Sequence, residues 1–145
     1  MVPSVYFKAG EDRWLFTDES VFTRIMARRS WMQIRLIAAK YEDISGSTLM
    51  QAINDECRGD TERAYKAVVR MACDPCFYFT RNIYKAMKGL GTDDDALVRN
   101  IIFTSEWALE TVKARYEEEY GATIADDIDG DCRGDYKDIL LAIVK

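Results

Sequence analysis

The sequence contains no histidine and has no long apolar run. Without histidine, the chain lacks the usual general base, the usual zinc ligand and any Ser-His or Cys-His catalytic pair. Its longest apolar run, Ile139–Val144, is far shorter than the roughly 20 residues that span a bilayer. A phosphate-binding loop and a nucleophile elbow are also missing. These absences predict a protein that is not an enzyme and has no membrane-spanning helix.

The first ten residues, MVPSVYFKAG, have neither a basic leader nor the apolar stretch of a secretory signal. We therefore expect a soluble, cytoplasmic protein whose four cysteines are free thiols. Cys73 and Cys76 form a single CxxC with no second ligand pair at zinc-ribbon spacing. Cys57 and Cys132 occupy matching positions in the two halves of the chain, which predicts a packing role for both.

Acidic residues outnumber basic ones, 25 to 20, which gives a net charge of −5. A chain of this charge repels nucleic acid at long range, and no basic stripe is present to neutralise phosphates. Nucleic acid is therefore excluded as an expected partner. An anionic membrane is repelled in the same way, unless a divalent cation bridges the two surfaces.

One half of the sequence repeats the other. Shifting the chain by 75 positions places Thr17 on Thr92 and requires no gap afterwards. The segment CRGD at 57–60 then falls on CRGD at 132–135. Further identities in this register are Arg24 with Arg99, Ser30 with Ser105, Tyr41 with Tyr116, Gly46 with Gly121 and Ile53 with Ile128. The matches predict a duplicated unit, with repeats at 1–74 and 75–145.

Each copy has the pattern of short helices. Apolar residues recur at helical spacing, and no stretch alternates as a strand does. Thr17 and Thr92, each followed by acids, are predicted to cap helices. Gly46 and Gly121 stand where a chain leaves a helix. The sequence therefore predicts an all-α protein of two repeats, each with about five short helices.

The segment MKGLGTD, residues 87–93, joins two of these predicted helices. Glycines at alternate positions allow positive φ angles, so several carbonyl oxygens can turn towards one point. Such oxygens, together with a carboxylate, suit calcium. A suitable carboxylate, Asp131, follows Gly91 at a distance of forty positions.

These motifs resemble the annexin family. MKGLGTDD, followed at that distance by GDCRGDY and an apolar helix, resembles the last annexin repeat. In the first copy, AGEDRW, TDESVF, KYEDISG and ECRGD resemble the third. The resemblance implies a right-handed helical bundle in which the first helix of the first copy is truncated. Annexins normally carry four repeats, so it also implies either missing N-terminal repeats or a homo-oligomer.

The resemblance implies a calcium site and a function. Backbone carbonyls of Met87, Gly89 and Gly91 and a bidentate Asp131 are the implied ligands, and a lipid oxygen completes the shell. The implied function is Ca2+-dependent binding to acidic phospholipid membranes, with the protein peripherally attached. Two alternatives stay open: the loop and Asp131 serve only as a turn and a cap, or the chain is a helical interaction scaffold with weak or no calcium dependence.

A second calcium site is implied in the first copy, with Glu56 at the position of Asp131 and with Gly10 and Arg13 in its loop. This loop departs from the family, because Trp-Leu-Phe-Thr replaces Trp-Gly-Thr. A positive φ at Phe16 is costly, so calcium binding here is an open alternative.

Apolar residues in the two loops predict contact with a membrane. Trp14, Leu15 and Phe16 lie in the first loop and Leu90 lies between the glycines of the second. Tryptophan favours the membrane–water interface, which supports insertion into the headgroup region. Packing onto neighbouring helices is the alternative, especially for Phe16.

Overall fold

The computed structural model of the chain describes residues 19–145, with side chains from Phe22 onward. Residues 19–145 contain helices and no strand, so the predicted all-α class is confirmed. The helices in chain order are α1 Glu19–Arg28, α2 Trp31–Ser45, α3 Leu49–Glu56, α4 Gly59–Cys73, α5 Pro75–Met87, α6 Asp94–Ser105, α7 Leu109–Tyr120, α8 Ile124–Asp131 and α9 Gly134–Val144.

The same local devices start and end matching helices in the two copies. Thr48 begins α3 and Thr123 begins α8, each through a capping box in which side chain and backbone bond reciprocally. Gly46 ends α2 and Gly121 ends α7, both in the left-handed conformation with φ of 69°. Only glycine adopts this conformation at little cost, which explains its presence at both helix ends.

Two compact units divide the chain between Asp74 and Pro75. In the first unit, α4 packs on α2 and α3. The core of this unit consists of buried side chains from α1 to α4 and from the link before α4: Phe22, Met26, Ile34, Leu49, Ile53, Cys57, Tyr65, Val69 and Ala72. Cys57 therefore has the packing role that its repeat position predicted.

In the second unit, α5 packs against α6, α7 and α8, and α9 packs against α6 and α8. Apolar residues spaced three or four apart bury one side of each helix, as at Leu97 and Ile101 of α6. Cys132 is buried in the link before α9, which matches the place of Cys57 in the first unit. The four cysteines form no disulfide.

Two predicted details of helix ends differ in the structure. Asp93, and not Thr92, caps α6: its carboxylate accepts a hydrogen bond from the Ala96 amide at 3.0 Å. Asp131, predicted in an interhelical loop, is the last residue of α8, because the Cys132 amide still donates to the Ile128 carbonyl. The prediction that Thr17 caps a helix lies outside the described residues.

None of the helices in residues 19–145 combines the length and apolarity needed to cross a bilayer.

A pair of glycines in the second unit tests the role of the left-handed helix end. We expect Gly121→Ala to lower the free energy of unfolding by about 1 kcal/mol, because alanine is strained at a φ of 69°. Gly130 lies within α8 without a positive φ, so Gly130→Ala is expected to raise stability by up to about 1 kcal/mol. Denaturant unfolding measures both values, and equal shifts for the two variants contradict the interpretation.

Candidate calcium site

The loop between α5 and α6 is closed at its base by backbone hydrogen bonds. The Lys88 amide donates to the Tyr84 carbonyl at 2.9 Å, and the Asp93 amide donates to the Ala86 carbonyl at 2.8 Å. The second bond joins the end of α5 to the start of α6. Residues 88–91 are exposed, so the tip of this closed loop faces solvent.

Glycine geometry shapes the tip of this loop. Gly89 has a φ of 153° and Gly91 a φ of 86°, values that side chains disfavour. Between them Leu90 is fully exposed, with a relative exposure of 109%. Within the described part of the chain, the carbonyls of Met87, Gly89 and Gly91 accept no hydrogen bond. The loop therefore presents oxygens that its own fold does not use.

A lysine in the loop contacts helix α8. The Lys88 ammonium lies 3.5 Å from a carboxylate oxygen of Asp127 and 5.4 Å from the centre of the Tyr84 ring. The other oxygen of Asp127 accepts a short hydrogen bond from the Tyr116 hydroxyl. Burial, and then this hydrogen bond, raise the pKa of Tyr116 well above its usual range. Asp127 thus links the loop to both α8 and α7.

Tyrosine rings of α5 and α7 pack together beside the link that Asp127 makes. The Tyr84 and Tyr120 rings are parallel with centroids 3.7 Å apart, and Tyr116 lies edge-on to Tyr120 at 5.0 Å. Aromatic pairs of this kind add to the free energy of packing beyond area burial. These packed tyrosine rings therefore restrain α5, which Lys88 directly follows, and α7, which contacts Asp127.

Asp131 occupies the exposed end of α8. It follows Asp127 by four residues, which places it on the same side of the helix and about 6 Å further along the axis. Burial first, and then Asp94 and Asp131, raise the pKa of the Cys132 thiol. The Asp94 carboxylate in the first turn of α6 and the Asp131 carboxylate at the end of α8 therefore both act electrostatically on the Cys132 thiol.

The donor chemistry of this region fits calcium. In residues 19–145, no group of three acidic or cysteine side chains lies close enough to hold a metal ion. The candidate set instead combines backbone carbonyls of Met87, Gly89 and Gly91 with one carboxylate, Asp131. All four are hard oxygen donors, which calcium prefers and softer metals do not.

The first copy is described only in part. Glu56 is the last residue of α3 and half-buried, a position equivalent to that of Asp131 on α8. Ala52 stands at the position equivalent to Asp127, so this copy has no carboxylate there. The other predicted residues of this loop lie outside the described residues: Gly10, Arg13, Trp14, Leu15 and Phe16.

Sequence reasoning missed Lys88, Asp127 and Tyr116. One signal was available, because Asp127 and Asp131 are four residues apart on a predicted helix and must share a face. The contact with Lys88 had no such signal, since the two residues are far apart in sequence and lysine–aspartate pairs are common on protein surfaces.

Comparison with known proteins places the chain in a family. A sequence model of the annexin family matches residues 7–68 and 78–143. Human annexin A13 is 37% identical over 138 residues, which cover 95% of this chain and 43% of that protein. Annexin B10 of Drosophila melanogaster is 41% identical over 139 residues, with the same coverage of 95% and 43%. The chain thus spans less than half the length of these relatives.

Solved structures agree with the sequence matches. Annexin III superposes with a TM-score of 0.90 at 32% identity, covering 98% of this chain and 44% of that one. Calcium-bound annexin (Sm)1 superposes with a TM-score of 0.82 at 30% identity, covering 97% and 40%. Calcium is therefore a metal of this family.

The two-repeat helical fold, the match of the family model to both repeats and the identity to annexins over 95% of the sequence lead to one conclusion: the chain belongs to the annexin family.

Proposed function

We propose that this chain binds acidic phospholipid membranes in a calcium-dependent, peripheral manner through its second repeat. The observation that carries the proposal is that the glycine loop between α5 and α6 is linked to α8, the helix that ends in Asp131. The loop begins at Lys88, which pairs with Asp127 at 3.5 Å. One turn beyond that pair, Asp131 supplies the carboxylate.

In this proposal, the carbonyls of Met87, Gly89 and Gly91 and the Asp131 carboxylate hold calcium at the loop tip. When bound, calcium supplies positive charge and open coordination positions that lipid phosphoryl oxygens fill. The chain itself contributes an exposed tip and a net charge of −5, so binding without the metal is opposed by repulsion. No enzymatic activity is part of the proposal.

Leu90 contributes the apolar part of the contact. It stands fully exposed at the tip between the two glycines, where no neighbouring side chain covers it. Next to a bound membrane it enters the headgroup region and removes apolar surface from water. Trp14, Leu15 and Phe16 have this role in the first repeat.

A single ion at one loop gives weak attachment, so several sites act together on one surface. Within one chain, Glu56 provides the carboxylate of a second site with Gly10 and Arg13 in its loop. Several chains bound to one membrane provide the further calcium sites. The expected location is the cytoplasm, with reversible attachment to membranes when calcium rises.

The central test is co-sedimentation of the chain with phosphatidylserine vesicles, with calcium and with chelator. We expect binding only with calcium. Asp131→Asn is expected to raise the calcium concentration at half-maximal binding by about tenfold or more, because a charged ligand is lost.

Asp129→Asn is the matched control for this test. It removes the same charge from the same helix, and Asp129 is an exposed residue that pairs with Lys137 at 3.0 Å, away from the loop. We expect this variant to keep the calcium dependence of the unmodified chain. Vesicle binding that ignores calcium, chelator and Asp131→Asn contradicts the proposal and favours the helical scaffold.

The variant Lys88→Gln distinguishes two roles of Lys88: positioning of the loop against α8, and repulsion of calcium by its charge. If Lys88 acted only through its charge, its removal would strengthen calcium binding, because repulsion of the cation is relieved. We expect the opposite, about twofold to fivefold weaker binding, since the loop loses its partner on α8. Calcium titration by calorimetry, without lipid, measures the change. Tighter binding by Lys88→Gln shows that the Asp127 pair does not position the loop.

Leu90→Ser tests the apolar contact. We expect unchanged calcium binding without lipid but about fivefold to tenfold weaker vesicle binding, because part of the transfer free energy of a leucine is lost. Ile139→Ser is the control, since Ile139 is also exposed, at 61%, but lies on α9 outside the loop. An equal loss in both variants is inconsistent with specific insertion of Leu90.

A further inference from the structure

The two copies share the segment CRGD but use its arginine differently. In the first copy, the Arg58 guanidinium donates to the Asn54 carbonyl at 2.6 Å and to the Cys57 carbonyl at 2.8 Å. Asn54 lies in the last turn of α3, so Arg58 satisfies a carbonyl that the helix end leaves free. Its counterpart Arg133 forms neither an ion pair nor a side-chain hydrogen bond within the part of the chain that the structure describes. The guanidinium of Arg133 can therefore bind an external partner.

Backbone geometry directs Arg133 to the surface on which Asp131 lies. Cys132 and Arg133 are both extended, with φ and ψ of −101° and 160° for Cys132 and of −142° and 158° for Arg133. Successive side chains of an extended backbone point to opposite sides, and Cys132 is buried, so Arg133 points away from the core. Asp131 and Arg133 are both exposed. Their Cα atoms are at most about 7 Å apart, which is the reach of two residues, so the guanidinium is tethered next to the candidate calcium ligand.

Two other cations near α8 are already paired with its acids. The Lys88 ammonium lies 3.5 Å from Asp127, and the Lys137 ammonium lies 3.0 Å from Asp129. Arg133 has no such partner, and it stands at the start of α9 without a side-chain capping bond. The fold therefore leaves the charge of Arg133 unused, and replacing this residue removes no bond of the helix start.

An unpaired guanidinium next to a calcium ligand weakens calcium binding, because like charges repel. An anion that contacts both charges has the opposite effect, since the ion and the guanidinium attract it together. The planar fork of arginine binds a pair of phosphate or carboxylate oxygens. An acidic lipid headgroup carries such oxygens, and calcium with open coordination positions binds them as well.

We propose that Arg133 binds the acidic lipid headgroup whose oxygens also complete the calcium shell at Asp131. This inference rests on the proposed calcium-dependent membrane binding and names a chain contact to the lipid itself. The shared headgroup couples the two ligands, so that calcium and acidic lipid each bind more tightly when the other is present. Without calcium, the acids around the loop outweigh a single guanidinium, and Arg133 alone does not hold the membrane.

The test compares Arg133→Gln with the unmodified chain in two measurements. In a calorimetric calcium titration without lipid, we expect the variant to bind calcium at least as tightly, because a repulsive charge is removed. In co-sedimentation with phosphatidylserine vesicles at saturating calcium, we expect about fivefold weaker binding, the contribution of one basic residue at an acidic bilayer. A merely structural role of Arg133 would weaken both kinds of binding, so calcium binding that weakens in the variant overturns the inference.

A second vesicle type identifies the headgroup oxygens. Phosphatidylserine carries a phosphate and a carboxylate, whereas phosphatidylglycerol at the same mole fraction carries the phosphate alone. An equal loss on both vesicles shows that Arg133 pairs with the phosphate, and a loss on phosphatidylserine alone shows that it pairs with the carboxylate. Unchanged binding to both vesicles overturns the inference.

Arg99→Gln is the matched control. It removes the same charge from the same unit, and Arg99 is an exposed arginine of α6 about 8 Å along the helix from Asp94. We expect this variant to match the unmodified chain in both measurements, and an equal loss of vesicle binding in Arg99→Gln and Arg133→Gln overturns the inference but leaves the proposed function intact. If the unmodified chain itself shows no calcium-dependent vesicle binding, the proposed function fails and this inference fails with it.

Discussion

The reversal of the chain between α5 and α6 is the constraint from which the candidate calcium site of the second repeat arises. The Asp93 amide and the Ala86 carbonyl close this reversal, and in the described part of the chain the carbonyls of Met87, Gly89 and Gly91 between them accept no hydrogen bond. Gly89 and Gly91 make such a turn possible without strain from side chains. The same reversal sets the two helices antiparallel, so Ala86 lies beside Asp93 at one end and Phe79 beside Phe103 at the other. One backbone hydrogen bond thus closes the loop that contains the candidate carbonyl ligands.

The charge balance around the loop favours a cation. Asp93 caps α6 and Asp94 and Asp95 lie in its first turn, while Asp127 and Asp131 lie on α8. The nearby cation, Lys88, pairs with Asp127. Because acidic side chains outnumber this cation, the surroundings of the loop attract a positive ion and repel an anion.

Features governed by local chemistry were predictable from the sequence. Helix ends at Gly46 and Gly121 and burial of Cys57 and Cys132 follow from residue type and repeat position. The choice between Thr92 and Asp93 as helix cap did not follow, because either side chain can cap. Tertiary contact decides it: the Asp93 amide is held by Ala86, which places the Asp93 carboxylate over the first turn of α6.

The duplication separates what the fold needs from what the site needs. Caps, glycine helix ends and buried cysteines recur in both copies, because each unit must close the same core. Asp127 does not recur, since Ala52 stands at its equivalent position, and the glycine loop has no counterpart in the Trp-Leu-Phe-Thr segment. A core residue is constrained by every neighbour that it touches, whereas a loop ligand is constrained only by its ion. Sequence matching between the copies therefore predicts the shared scaffold well and the site poorly, and the link from Lys88 to Asp127 becomes visible only in three dimensions.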